Sequence, residues 1–223
     1  MPTLGDKLTK LYLSLKPPAS LPNDITSLYP FADPQVRKLV RQFFKKFYPD
    51  TGSRRLLLGI NPGRFGAGIT GINFTAPRQL QNNCGIDHPL GNHSELSAEF
   101  IYEMIEGYGG PAKFYGDYFI GAISPIGFIK NGVNMNYYDD KKLATALEPF
   151  IVSGIRQLLA MGFKNDKCFC IGGDKNFSFL SQLNEEHQFF NEIIPLPHPR
   201  FVMQYRRKQK ETYIGKYLDV LKY

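Results

Sequence analysis

The chain reads as an α/β protein: a three-layer α/β/α sandwich around a central four-stranded, mainly parallel sheet, with additional N-terminal helices. Three observations predict this. Four short apolar runs, Arg55 to Ile60, Tyr118 to Ser124, Lys167 to Ile171 and Glu192 to Leu196, have the near-continuous hydrophobicity of strands covered on both faces. Segments with helical apolar spacing separate them, as the crossovers of a parallel sheet require. A length of 223 residues, 43% hydrophobic and 21% charged, suits one domain with a substantial core. Residues 1–223 are therefore read as a single domain, with 1–50 as a helical extension packed on it.

Taken in order, Leu4, Leu8, Leu11, Tyr12 and Leu15 share a helical face, and the helix stops before Pro17-Pro18 because proline restricts the residue ahead of it. A loop is expected to about Phe31. Asp33 then offers an N-cap side chain and Pro34 a first helical residue, opening a helix striped by Val36, Leu39, Val40, Phe43, Phe44 and Phe47. The Gly- and Asn-rich segments 63–92 and 127–138 read as long functional loops. Asn92, with Glu95 three residues on, resembles a capping box for a helix burying Leu96, Phe100, Met104 and Ile105. Asp139 opens the next, through Leu143, Leu147, Ile151, Ile155 and Leu158, and Pro149 is expected to divide it. Asp174 begins a helix carrying Phe177, Leu180 and Leu183, and Tyr213, Ile214, Tyr217, Leu218 and Leu221 mark a terminal one.

Composition narrows the function. No apolar run approaches the roughly 18 residues that span a bilayer, and Asp6, Lys7 and Lys10 interrupt the first turns where a signal peptide would be apolar. A cytoplasmic protein without a membrane partner is expected. Cys84, Cys168 and Cys170 make neither a disulfide framework nor a four-ligand metal set, so no metal or organic cofactor is implied. The net charge of +7 suits a polyanionic partner if it is concentrated on one surface. Arg37, Lys38, Arg41, Lys45, Lys46, Arg54 and Arg55 form one basic group, equally readable as solvated helix faces. Arg200, Arg206, Arg207, Lys208 and Lys210 form a second.

Two strand ends carry the chemistry. The run Leu56-Leu57-Leu58 stops at Gly59-Ile60-Asn61-Pro62-Gly63, and the run Ile193-Ile194-Pro195-Leu196 stops at Pro197-His198-Pro199-Arg200. In open α/β sheets ligands bind beyond the carboxyl ends of the strands, where Asn61 and His198 both fall. Taken singly, an Asn-Pro-Gly turn is usually plain architecture, Phe74 a core residue and a histidine between prolines a satisfied loop residue. Their joint order and strand-end placement reverse those odds.

Together these loops resemble the uracil-DNA glycosylase superfamily, most closely its single-strand-selective monofunctional branch. That branch's first motif, Gly-Met-Asn-Pro-Gly followed by Phe-Gly, Thr-Gly and a Phe, is matched by Gly59 to Gly63, Phe65-Gly66, Thr70-Gly71 and Phe74. Its second begins His-Pro, as His198-Pro199 does. The likeness runs from about residue 54 to the C-terminus. It implies a monofunctional glycosylase acting as a monomer on DNA that contains a deaminated base. By resemblance, Asn61 orients a water, His198 hydrogen-bonds the leaving base, Phe74 stacks on that base, and Ile60 and Gly63 offer it backbone groups. Neither motif holds a lysine for a Schiff base, which favours water as the attacking group.

Two departures qualify the likeness. The branch reads uracil with an Asn on the second strand, where this chain has Ala122; Asn82, Asn83 or Asn92 could replace it, or the pocket could accept xanthine or hypoxanthine. After His198-Pro199 the family's Ser-Pro-Arg gives way to Arg200-Phe201-Val202-Met203. An apolar Phe201-Val202-Met203 tip could wedge into the base stack while Arg200, Arg206 and Arg207 hold phosphates. Two rival readings stand beside this one. The first is a non-catalytic nucleic-acid binder of the same fold. The second is a dinucleotide-binding oxidoreductase using Gly66 to Gly71, against which stand Pro62 and the lack of a following helix start.

Overall fold

The computed structural model describes residues 1–18, 21–22 and 24–222. Helix α1 (Leu4–Ser14) opens with a capping box between Thr3 and Asp6 and ends before the two prolines. Of the expected loop, residues 19, 20 and 23 lie outside the described residues, and the remainder departs from expectation: Ile25–Leu28 is a strand, β1. Four residues are too few to show an alternating pattern, and what makes this segment a strand is its distant antiparallel partner. A 3-10 turn, Pro30–Ala32, leads to α2 (Pro34–Phe47), where Asp33 accepts from the Gln35 N–H as a cap.

Strand β2 (Arg55–Gly59) is followed by two short helices, α3 (Ala67–Thr70) and α4 (Pro77–Asn82), in the region expected as loop. The rest comprises α5 (Leu96–Tyr108), α6 (Pro111–Asp117), β3 (Tyr118–Ala122), β4 (Gly127–Lys130), β5 (Val133–Met135), α7 (Lys141–Ala160), β6 (Lys167–Ile171), α8 (Asp174–His187), β7 (Glu192–Leu196), α9 (Pro199–Tyr205) and α10 (Lys210–Leu221). The second expected loop is therefore a hairpin, β4–β5, paired with β1 in a three-stranded sheet. Asp140, not Asp139, caps α7, accepting from the Leu143 N–H, and α7 runs through Pro149 undivided. An interior proline costs a helix about 3 kcal/mol; the buried stripe of Leu143, Leu147, Ile151, Ile155 and Leu158 offsets it. Among the described residues α7 is the one helix long and apolar enough to cross a membrane, and its apolar stripe is buried in the core.

The main sheet has the order β3-β2-β6-β7 with every pair parallel. Tyr118 and Phe119 are successive on β3 and so point to opposite faces. Tyr118 meets Tyr108 of α5 and Phe114 of α6, whereas Phe119 meets Tyr12 of α1, Phe44 of α2 and Phe163. Helices thus cover both faces, giving the expected three layers. The expectation of a fully buried last strand is corrected: β7 is an edge, with Ile193 and Ile194 half-buried and Pro195 exposed. An edge is where a strand tolerates proline.

Most of the first basic group is structural. Arg54 is 2% exposed, paired to Asp50 and donating to the Tyr115 carbonyl. Arg55 pairs with Asp166, Arg37 donates to the carbonyls of Leu13 and Phe31, and Lys46 to that of Cys84. The three cysteines are buried and unbridged.

Candidate active site

The parallel sheet delivers three of its chain exits to one place. At the end of β2 the turn is riveted to the end of β3, with the N–H of Ile123 donating to the Gly59 carbonyl (2.9 Å) and that of Ser124 to the Ile60 carbonyl (3.1 Å). Asn61 is then clasped by the hairpin. Its Nδ2 donates to the carbonyls of Met135 (3.2 Å) and Pro62 (3.3 Å), and its Oδ1 accepts from the Tyr137 N–H (3.0 Å). Both amide protons and one lone pair are engaged, so one acceptor site on Oδ1 remains.

Phe74 reaches the same place from a turn whose backbone is held in an uncommon state. Its φ of +53° is left-handed, a conformation that costs a bulky residue on the order of 1–3 kcal/mol and persists only where the surroundings over-determine it. They do so here. Thr70 Oγ1 donates to the Thr75 carbonyl (2.6 Å) and accepts from the Ile72 N–H (3.1 Å), while Thr75 Oγ1 bonds the Asn73 carbonyl and the Tyr102 hydroxyl. The ring edge presses against Gly59, where an added Cβ would sit 2.6 Å from Cε2 and 2.7 Å from Cζ. A glycine ends β2 because this ring needs its place.

His198 caps α9. Its Nδ1 accepts the Arg200 N–H at 3.1 Å, which leaves the proton of the neutral ring on Nε2. Burial first, and the Arg200 cation second, push its pKa down to about 4, so the imidazole is uncharged at neutral pH. The Tyr217 hydroxyl bonds the Pro197 carbonyl and steadies the loop from α10. The His198 ring lies 6.2 Å from that of Phe74, tilted by 43°.

A cavity of about 120 Å³ collects these groups. Its walls include Ile60, Asn61, Gly63, Phe74, Ala122, His198 and Arg200, seven of the residues expected to act. The volume is far below the roughly 300–1,000 Å³ of drug-sized sites and is on the scale of a single nucleobase. The Gly66–Gly71 stretch is one turn of helix around α3, with Gly71 at φ +74° wedged against Phe31, Val36 and Val40; it packs and offers no phosphate cradle. Among the described residues no group of His, Cys, Asp or Glu gathers as a metal site would.

Two expectations are corrected. Val202 and Met203, expected at a DNA-contacting tip, are 0% and 4% exposed. Pro199 starts a helix rather than a loop tip, and one face of that helix must turn to the core. Phe201 (41%) and Tyr205 (66%) are the exposed aromatics there, their ring centroids 5.8 Å apart and the Arg206 guanidinium 5.6 Å from the centre of Phe201. Arg206 and Arg207 are exposed too. Asn82, Asn83 and Asn92 are not among the cavity's lining residues: Asn83 bonds Glu106, and Asn92 gives its carbonyl to Arg78. Nor does Asn92 cap α5, whose N-cap is Glu95. Besides Asn61, the amides that do line the cavity are Asn73, Asn134 and Asn136. Asn73 is 7% exposed with its Nδ2 3.4 Å from the Tyr12 hydroxyl, and Asn134 accepts from the Arg64 N–H. Sequence spacing alone gave no signal for them, because a hairpin and a helix far from either motif bring or hold them there.

An amide beyond the end of β2 and an imidazole beyond the end of β7, lining one cavity with an aromatic ring, define a class. The family model of the uracil DNA glycosylase superfamily matches residues 45–222, and the chain belongs to that superfamily. The membership carries a DNA glycosylase-type repair function. Among solved structures, the chain is similar to the crystal structure of wild-type Pedobacter heparinus SMUG2, with 42% identity and a TM-score of 0.95, over 100% of this chain and 98% of that one. No curated protein matches it. The family and branch read from the two loops therefore hold, and the likeness to the solved relative extends over the first 50 residues as well.

Proposed function

We propose that this chain is a monofunctional DNA glycosylase that hydrolyses the N-glycosidic bond of uracil, or of a related deaminated base, flipped out of DNA. Bond breaking places negative charge on the departing base and positive charge on the sugar, so water needs orientation more than activation. Asn61 Oδ1, with one lone pair left, holds that water. Neutral His198 donates from Nε2 to the base oxygen on which charge collects, a contact whose loss typically costs ~10²–10³ in rate. Phe74 stacks on the flipped base, worth roughly 1–3 kcal/mol against the few kcal/mol of unstacking. Ile60 and Gly63 border the base with backbone, and Asn73 and Asn134 offer the edge-reading amide that Ala122 lacks. Outside the pocket, Arg200, Arg206 and Arg207 hold phosphates while Phe201 with Tyr205 props the gap left by the base. We take the whole chain as one domain, acting as a cytoplasmic monomer on DNA.

The observation that carries this reading is the convergence of Asn61, Phe74 and His198 on one cavity on the scale of a single nucleobase. A labelled oligonucleotide with one uracil, incubated with protein and then cleaved with alkali at abasic sites, tests it. Release by the wild type, and its loss in Asn61→Ala and His198→Ala, is expected. Tight binding with no release from uracil, hypoxanthine or xanthine would make the chain a non-catalytic relative instead.

A further inference from the structure

One group in the cavity has no part in that mechanism. Glu95 occupies the N-cap of α5, yet its side chain makes no capping bond, and among the described residues its carboxyl has neither a hydrogen bond nor an ion pair. It lines the cavity instead. The first motif leaves room for it: a Cβ on Gly66 would lie 2.6 Å from the carboxyl carbon, and one on Gly63 would lie 3.9 Å from Oε2. The loop that presents Asn61 thus also lies against this carboxyl. The other charged or titratable groups lining the cavity are His198 and Arg200, both from α9. From α4, Arg78 turns away to Glu99 and the Asn92 carbonyl, and the 63–66 loop faces Glu95 with its glycines. Burial raises the Glu95 pKa to about 7 against a smaller opposing pull from Arg200, so a neutral, proton-bearing carboxyl is well populated at physiological pH.

We propose that Glu95 is the site's proton donor for purine substrates, passing its proton to a ring nitrogen of a flipped hypoxanthine as the glycosidic bond breaks. This rests on the glycosylase reading and deepens it. Uracil departs as an anion spread over its ring and oxygens, which His198 serves. A purine departs more readily once its imidazole ring gains a proton, because the electron pair of the broken C–N bond then returns to a neutral base. The balance closes within the reaction. The carboxyl proton goes to the base, water adds to the sugar carbon, and the proton released by that water restores Glu95. General acid catalysis of this kind contributes typically ~10²–10⁴ in rate.

The test compares single-turnover release of uracil and of hypoxanthine by the wild type and by Glu95→Gln, which keeps size and polarity but has no acidic proton. Hypoxanthine release at pH 6.5 is expected to fall ~10²-fold, and uracil release by less than about threefold. The wild-type rate on hypoxanthine should decline as pH rises past 7, and this decline should vanish in Glu95→Gln. Gly66→Ala, whose methyl displaces the carboxyl, should show the same selectivity, and an unchanged melting temperature certifies both folds. An equal loss on both bases would make Glu95 part of the common step or of the scaffold, and an unchanged hypoxanthine rate would make it a bystander. Either result overturns the proposal. So would a wild type that releases uracil but no hypoxanthine, an outcome that leaves the glycosylase reading intact. Failure to release either base would remove both.

Discussion

The two strand-end loops differ in how they hold their key side chain. Asn61 is gripped from outside its own segment: the β4–β5 hairpin supplies the Met135 carbonyl and the Tyr137 N–H, and the end of β3 ties down the turn. His198 is oriented by its own helix through the Arg200 N–H, with Tyr217 as the external brace on its loop. An amide that is to hold a water, as proposed for Asn61, must keep one acceptor site aimed correctly, and an amide rotates easily unless both ends are bound. An imidazole needs only its tautomer chosen, and one backbone N–H suffices for that. The β1-β4-β5 sheet pairs with no strand of the main sheet, yet besides lending Ile25 and Phe128 to the core it sets the orientation of Asn61.

The largest contrast should appear when each side chain is truncated. Both Asn61→Ala and His198→Ala are expected to lose ~10²–10³ or more in base release, but their stabilities should diverge. Asn61→Ala strands a backbone carbonyl and a backbone N–H of the hairpin, at roughly 1–3 kcal/mol for each buried group left without a partner. His198→Ala removes one cap acceptor, about 0.5–2 kcal/mol. Urea midpoints should rank wild type above His198→Ala above Asn61→Ala. Equal midpoints for the two variants would show that the hairpin does not depend on the amide.

Phe74 joins the loops, with its ring edge against Gly59 at the root of one and its ring centre 6.2 Å from the imidazole of the other. Phe74→Ala should slow uracil release ~5- to 150-fold, the kinetic equivalent of roughly 1–3 kcal/mol of stacking. Truncating a fully buried Phe usually costs about 3–5 kcal/mol of stability. The cost here should be smaller, since Phe74 is half-buried and its left-handed backbone stores strain. A change in rate below twofold would reassign the ring to the core.

The strand ends are legible in the sequence because apolar runs stop abruptly at turn residues, and Asn61 and His198 stand at those stops. The layers follow from the helical spacing between runs. What spacing could not show is contact made across the chain. Segment 127–138 reads as loop because its strands are three and four residues long and become strands only by pairing with β1. Asn134 and Asn136 enter the cavity through that pairing. Glu95 looks like half of a capping box in one dimension and turns into the pocket in three. The buried Val202 and Met203 could have been anticipated: His198-Pro199 is an N-cap followed by a first-turn proline, the signal that located α2 correctly.

The finest test of the two loops is electrostatic, since the pocket holds two groups displaced in opposite senses. His198 has its pKa pushed down to about 4 from an ordinary 6.5. Between those values the unfolded chain binds more protons than the folded one, so stability from the neutral ring is complete above pH 6.5 and is lost as pH falls towards 4. Glu95 has its pKa raised to about 7 from 4.5, so its contribution is complete below pH 4.5 and is lost as pH rises through 7. His198→Gln should therefore flatten a plot of urea midpoint against pH between about 6.5 and 4, leaving the steeper fall below that to Asp50 and Asp166, whose carboxyls are held below the usual range by Arg54 and Arg55, while Glu95→Gln should flatten the alkaline limb. If the loss between pH 6.5 and 4 survives in His198→Gln, the ring is not held neutral by its surroundings. The His198 loop would then be more open to water than the clasp on Asn61, and the contrast between the two loops would be sharper than the static geometry implies.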